Sequence, residues 1–225
     1  MTNPLPPVPH QHRPHPSDLP EPGLDRAIDF VNSFGTSRGR PYDDLQTADA
    51  AVVRLAELGF LTPADSAAER ERLAAHPAVS GAALARLQAV RSGLRELIDA
   101  TAEGRSADPD ALASVNLALR LAEFVELVPL GSDYRLARRR AGEPVDQAIA
   151  AIARLVAAEV AGGRSDRLRI CENPTCRWAF YDRSRPGTRR WCEMSSCGNR
   201  MKAARHRART REVPSAVPPE VPPTT

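Results

Sequence analysis

Residues 171–200 read CENPTCRWAFYDRSRPGTRRWCEMSSCGNR and contain all four cysteines of a 225-residue chain. Cys171 and Cys176 enclose four residues, fifteen residues follow, and Cys192 and Cys197 repeat the four-residue gap. Two pairs on tight turns, joined by enough chain for a strand or loop, can bring four thiolates to the corners of a tetrahedron. That is the closed, structural mode of zinc binding, with no position open for a substrate water, and it implies one Zn2+ per chain. Competing fates of the thiols stay open at this level. Disulfides need an oxidising compartment, and the first thirty residues, rich in Pro and His, lack the apolar core of a signal peptide. Buried free thiols would not be expected in matched pairs within a polar, Arg-rich segment. An iron-sulfur cluster uses the same ligands, and spacing alone does not separate the metals.

Around the cysteines there is little to bury except Trp178, Phe180, Tyr181 and Trp191, so a module of this size needs a staple, and the aromatics read as packing around the metal. Residues 164–211 carry fourteen basic side chains against four acidic ones, a net of +10; the chain totals +3, so the remainder stands at −7. After Cys197 the sequence suits a helix of about three turns, with Met201, Ala204 and Ala208 on one face and basic groups on the rest. Such a run is a solvated face unless a polyanion neutralises it, and nucleic acid is the expected partner. The expected contacts are Arg189, Arg190, Arg200, Lys202, Arg205, His206, Arg207 and Arg209.

Upstream the chain reads as a succession of helices. A short one around Ile28, Phe30 and Val31 stops near Gly35; a second runs from about Thr47 to Leu58 with Gly59 as its stop. Thr62-Pro63 pairs a capping hydroxyl with proline at the first helical position and opens a helix to about Ala75. The longest, Ser80 to Ala102, repeats Leu84, Leu87, Val90, Leu94, Leu97 and Ile98 at three- and four-residue intervals and ends before Gly104. Asp108-Pro109 opens another, carrying Leu112, Val115, Leu119 and Phe124. Residues 125–128 and 134–136, around a five-residue turn at 129–133, read as a β-hairpin. A last amphipathic helix runs from about Pro144 to Ala161, and Gly162-Gly163 marks a boundary.

The expectation is therefore a mainly α chain: a helical domain with one hairpin at 23–161, then a four-cysteine zinc-binding module at 164–211 ending in a basic helix. Eight of the 21 prolines lie in residues 1–22 and five follow Arg211, so 1–22 and 212–225 read as disordered tails. Aromatics are only 4% of the chain, against a sheet architecture, and no window approaches the ~18 apolar residues of a membrane helix. The expected location is the cytoplasm, on the nucleoid. Thirty of the 31 basic residues are arginine, a preference so general that it reads as composition bias.

The stretch from Cys171 through Trp178, Phe180, Asp182, Ser184, Arg189-Arg190-Trp191-Cys192 to Cys197-Gly198-Asn199-Arg200, Lys202 and His206 resembles the CGNR zinc finger, named for the tetrapeptide at 197–200. Upstream, Ile28-Asp29-Phe30-Val31-Asn32-Ser33, the helix series and the hairpin resemble the ABATE domain, with Asn-Ser where that family has Asn-Thr. The resemblance implies a bacterial, stress-induced transcription regulator whose finger holds zinc and touches DNA while the helical domain senses a signal. Gly198 is expected to permit a turn and Asn199 to cap the helix or fix the metal loop.

Three function classes follow. A DNA-binding regulator, with the helical domain as effector or homodimerisation unit, leads. An RNA-binding protein could use the same basic zinc module. An enzyme is not expected, since no phosphate-binding glycine loop, nucleophile elbow or His-Glu-x-x-His occurs and His76 is the sole histidine of the helical domain. Asp29 and Asn32 are candidates to line a pocket for a small-molecule effector, with capping of the first helix as the competing role.

Overall fold

The structure, a computed structural model, describes residues 23–37, 39–121, 124–139, 142–163 and 165–212; residues 1–22 and 213–225 lie outside them, while Glu212, read from sequence as the start of a tail, ends the last helix. In chain order the elements are α1 (Leu24–Val31), the strands β1 (Phe34–Ser37) and β2 (Arg40–Asp43), α2 (Ala48–Glu57), α3 (Pro63–Ala75), α4 (Pro77–Glu103) and α5 (Pro109–Arg120). β3 (Phe124–Leu130), β4 (Asp133–Arg139) and α6 (Pro144–Ala161) follow, then β5 (Leu168–Ile170), β6 (Ala179–Tyr181) and α7 (Asn199–Glu212). The chain is mainly helical, and among the described residues each of three sheets is a two-stranded antiparallel ladder.

The capping chemistry sets the helix starts. Thr47 accepts from the Ala50 N–H at 3.1 Å, Thr62 from Asp65 at 3.1 Å, and Asp108 from Asp110 and Ala111 at 2.8 and 3.2 Å. Pro63, Pro77, Pro109 and Pro144 each occupy the first turn, where the missing N–H is no loss. α4 begins at Pro77, earlier than the expected Ser80, and ends against Gly104 at φ 66°, the left-handed stop its sequence announces.

Two local expectations are corrected. The first helix ends at Val31, and residues 34–43 form a hairpin, with Phe34 opposite Asp43 and Ser37 opposite Arg40. Phe124, assigned to a helix by its sequence, opens β3, and the second hairpin turns on Gly131 and Ser132 alone, because Pro129 sits inside β3 opposite Tyr134. Both strands of that hairpin are edges, where a proline's missing donor costs no ladder bond.

The core is organised around α4. Its Leu87, Val90, Leu94 and Ile98 meet Ile149, Ile152 and Val156 of α6 and Ile28, Phe30 and Val31 of α1. The same apolar cluster continues past Gly162-Gly163: Leu168 of β5, 1% exposed, and Ala179 of β6 belong to it, with Ile170 and Tyr181 packed against it. The four-cysteine segment thus shares the helical core on one side and builds a smaller one, around Cys171, Cys176, Phe180 and Cys197, on the other.

Candidate metal centre and basic helix

The Sγ atoms of Cys171, Cys176, Cys192 and Cys197 all lie within 4.8 Å of one another, three of the residues buried and Cys192 half-buried. Cys192 Sγ is 3.8 Å from both Cys176 Sγ and Cys197 Sγ, and all four thiols are free. A tetrahedron with metal–sulfur arms of ~2.3 Å has edges of about 3.8 Å, so the set fits a single ion with tetrahedral thiolate preference. A multi-iron cluster spreads its thiolates around several metals and suits this spacing poorly. Without a cation the sulfurs cannot share the charge. Hydrogen bonds from Cys176 and Cys192 hold the Cys171 thiol far below its ordinary range, and the same contacts push Cys176 and Cys192 upward. A bound dication removes that conflict by favouring all four thiolates.

The protein supports the sulfurs from behind. Asn173, buried and missed by reasoning from sequence, donates from Nδ2 to Cys197 Sγ at 3.3 Å and accepts at Oδ1 from the Thr175 N–H and hydroxyl. Its carbonyl takes the N–H groups of Cys176 and Arg177, closing the first cysteine turn. The signal is local: Asn-Pro-Thr is turn chemistry. Asp182, fully buried, accepts from the N–H of Ser184 at 2.9 Å and of Arg189 at 2.8 Å, fixing the loop that returns to Cys192. Burial raises its carboxyl, but the bonds from Ser184 and Arg189 outweigh that and hold it below the usual carboxylate range.

The motif residues find distinct places. Phe180 is buried beside the cysteines, with the Arg189 guanidinium 5.1 Å from its ring. Trp191 lies under the guanidinium groups of Arg190 and Arg205, at 5.4 and 5.8 Å. Gly198 sits at a close approach without needing a left-handed backbone: a Cβ there would displace the exposed Met194 side chain and stand 3.1 Å from Trp191 Cδ1. Asn199 donates to the Ser195 carbonyl at 3.1 Å, tying the start of α7 to the π-helical turn Met194–Gly198.

α7 packs chiefly on that turn, and its Arg205 reaches back over Trp191. Lys202, Arg205, His206, Arg207 and Arg209 are exposed and Arg200 is half-buried. Among the described residues, Arg200, Lys202, Arg207 and Arg209 make no ion pair. Arg189 and Arg190, expected from sequence to join them on nucleic acid, are engaged internally. Arg189 Nη2 donates to the Cys192 carbonyl at 2.5 Å, and Arg190 Nε to Glu172 at 2.7 Å.

Asn32 has its amide committed to the fold. Its Nδ2 donates to the Ala179 carbonyl and its Oδ1 accepts the Ala179 N–H, both at 2.9 Å, so its amide mimics a neighbouring strand and saturates the edge of β6. Its own N–H closes α1 on the carbonyl of Ile28, a capping role by backbone. Asp29 is half-buried on α1. Tyr42 of β2 completes the junction, donating to the Asn32 carbonyl at 2.5 Å and accepting from Trp178 Nε1 at 2.7 Å. Burial pushes its phenol well above the ordinary value, so it stays protonated and able to donate. Tyr181 adds a bond to Glu159 at 2.8 Å and Arg183 one to Asp25 at 2.8 Å.

Asn32→Ala is expected to destabilise the chain, because both groups of Ala179 would be left buried and unpaired at about 1–3 kcal/mol each. For a protein of this size that is a fall in Tm of roughly 5–15 °C. Asn32→Asp should fare no better, since it turns an acceptor toward the Ala179 carbonyl. Thermal melts of both variants at the wild-type midpoint would disprove the clamp.

A search of curated proteins finds none that matches. Against protein families, residues 167–210 match the CGNR zinc finger and residues 24–164 match the ABATE family, described as "Putative stress-induced transcription regulator". Neither description is enzymatic. No helix among the described residues is long and apolar enough to cross a membrane. With more than half its length matched, and with the four cysteines placed to hold one metal ion, the chain belongs to the ABATE family and carries a CGNR zinc finger behind that domain.

Proposed function

We propose that the chain is a DNA-binding transcription regulator in which one structural zinc ion holds the base of α7 and α7 lies along the phosphate backbone of duplex DNA. The observation that carries this reading is the helix itself. Four cations without an internal ion pair among the described residues, Arg200, Lys202, Arg207 and Arg209, stand along this one helix, the last three of them exposed. Such a cluster repels itself in isolation and gains by approaching a polyanion. Zinc is favoured over other metals by four thiolates at tetrahedral spacing around a closed site. Arg189 and Arg190 serve the finger's internal structure first and DNA second. The stress response implied by the family description, a bacterial source and a cytoplasmic, nucleoid-associated location belong to the same reading.

The helical part acts as effector or homodimerisation unit. Support for dimerisation comes from Leu112 and Leu117 of α5 and Leu127, Leu130, Tyr134 and Leu136 of the β3–β4 hairpin, all exposed. Recognition of single-stranded RNA would need free aromatic faces. Phe180 is buried, Trp178 is bonded to Tyr42, and Trp191 is covered by two arginines, so duplex DNA is the better partner.

Selection of bound sequences from random duplex DNA by the zinc-loaded protein, with RNA as competitor at matched salt, tests the reading. An enriched motif that RNA does not displace is the expected result. Equal or stronger capture by RNA, or no enrichment, overturns it.

A further inference from the structure

Helical geometry sorts the side chains of α7 by face. At ~100° per residue, Met201, Ala204 and Arg205 share one side of the helix. Met201 and Ala204 are half-buried and the Arg205 guanidinium lies 5.8 Å from the Trp191 ring, so this side faces the finger. Opposite it stand Asn199, Ala203, His206 and Thr210, at spacings of four, three and four, and all are exposed. This outer stripe carries no arginine or lysine. The cations without an ion pair lie on its two flanks: Lys202 and Arg209, seven residues apart, on one, and Arg200 and Arg207, again seven apart, on the other. No carboxylate interrupts them before Glu212, the last residue of the helix.

A helix resting on a single phosphate strand would gain most from one cationic face. Cations on opposite flanks, with a small uncharged stripe between them, suit a helix bordered by phosphates on both sides. The major groove of B-DNA supplies that setting: it is ~12 Å wide and admits a helix of ~10–12 Å diameter. Ala203 adds only a methyl to the leading face, so the helix can approach the base edges closely. From Ala203 to Thr210 the stripe rises about 10 Å, or roughly three base-pair steps.

Within the stripe one side chain is equipped to read a base. Asn199 Nδ2 donates to the Ser195 carbonyl at 3.1 Å, anchoring it at the base of the helix, and Thr210 Oγ1 donates to the His206 carbonyl at 3.0 Å. The His206 imidazole is exposed and makes no hydrogen bond or ion pair among the described residues. In either neutral tautomer, and when protonated, it offers an N–H. Guanine turns two adjacent acceptors, N7 and O6, toward the major groove, where adenine sets a donor beside N7. We propose, resting on the regulator reading, that α7 enters the major groove with its flanking cations on the two bordering backbones and His206 donating to a guanine, as the residue that sets sequence preference.

The test selects sequences from a random duplex pool with the zinc-loaded full chain, its His206→Ala variant and its His206→Gln variant, at about pH 8, where imidazole is neutral. The wild type is expected to enrich a motif with a guanine at a position where His206→Ala accepts any base. His206→Ala should bind the wild-type motif about tenfold more weakly, with affinity for the unselected pool, salt slope, zinc content and melting temperature unchanged. His206→Gln should move the preference at that position toward adenine, whose N6 and N7 match a carboxamide. Placing 7-deazaguanine, which lacks the N7 acceptor, at that position should weaken the wild type and leave His206→Ala unaffected. An unaltered motif in both variants, or a loss equal on the motif and on the unselected pool, overturns the role of His206 and leaves the regulator reading standing. A wild type that enriches no motif overturns both.

Discussion

Cys197→Ser is expected to abolish stoichiometric metal binding and to lower the melting temperature of the whole chain, beyond its last fifty residues. Three thiolates cannot close the tetrahedron, and structural zinc in small fingers is worth about 10–16 kcal/mol. Residues 165–200 have no comparable apolar reserve, so the finger unfolds. The consequence reaches upstream because the two parts share one cluster. Unfolding withdraws Leu168 and Ala179 from contact with α1, α4 and α6, and leaves the Asn32 amide without its strand partner. Withdrawing one buried leucine alone costs about 2–5 kcal/mol, and the broken amide pair adds to it. Together these place the expected fall in Tm at roughly 10–20 °C. Metal analysis with helical circular dichroism followed through the melt checks both halves. A variant without metal whose helical transition stays at the wild-type temperature would show the helical part to be energetically independent of the finger.

That coupling is the least legible part of the chain, for a physical reason. Thr62-Pro63, Asp108-Pro109, Gly104 and the apolar stripe of α4 are local signals, and each element starts or stops where its chemistry requires. The cysteine pairs are likewise a local pattern, and the sulfurs meet as their spacing implies. Asn32 and Ala179 are 147 residues apart, and an amide that mimics a strand edge leaves no trace in periodicity. The β1–β2 hairpin escapes notice because its strands are four residues long, lack alternation and include Pro41. Gly162-Gly163 reads as a boundary because glycines end α6, but helix termination says nothing about where an apolar core ends. Pro129 misleads in the opposite direction, since an edge strand tolerates what a central strand would not.

Binding to duplex DNA is expected to weaken steeply with salt, with a log-log slope of about −4 to −5, if Arg200, Lys202, Arg205, Arg207 and Arg209 each displace roughly one counterion. Between ~50 and ~200 mM salt that slope amounts to a few hundred-fold in affinity. Alanine at Lys202, Arg207 or Arg209 should flatten the slope by about one and weaken all sequences alike, because a phosphate contact carries no base information. Arg205 differs because its guanidinium also covers Trp191, so its replacement should disturb the base of α7 as well as remove a charge. Arg190 differs further. It is paired with Glu172, so Arg190→Ala removes a cation and releases an anion, and its effect on affinity mixes finger geometry with charge. Glu172→Gln separates the two contributions. It frees Arg190 without deleting it, and affinity should hold or rise if Arg190 reaches phosphate once released. A residue that reads a base edge would instead lose roughly 1–3 kcal/mol on the preferred sequence alone. A slope near zero, or alanine variants along α7 that bind as wild type does, would reduce the helix to a solvated face and remove the ground for assigning DNA as the partner.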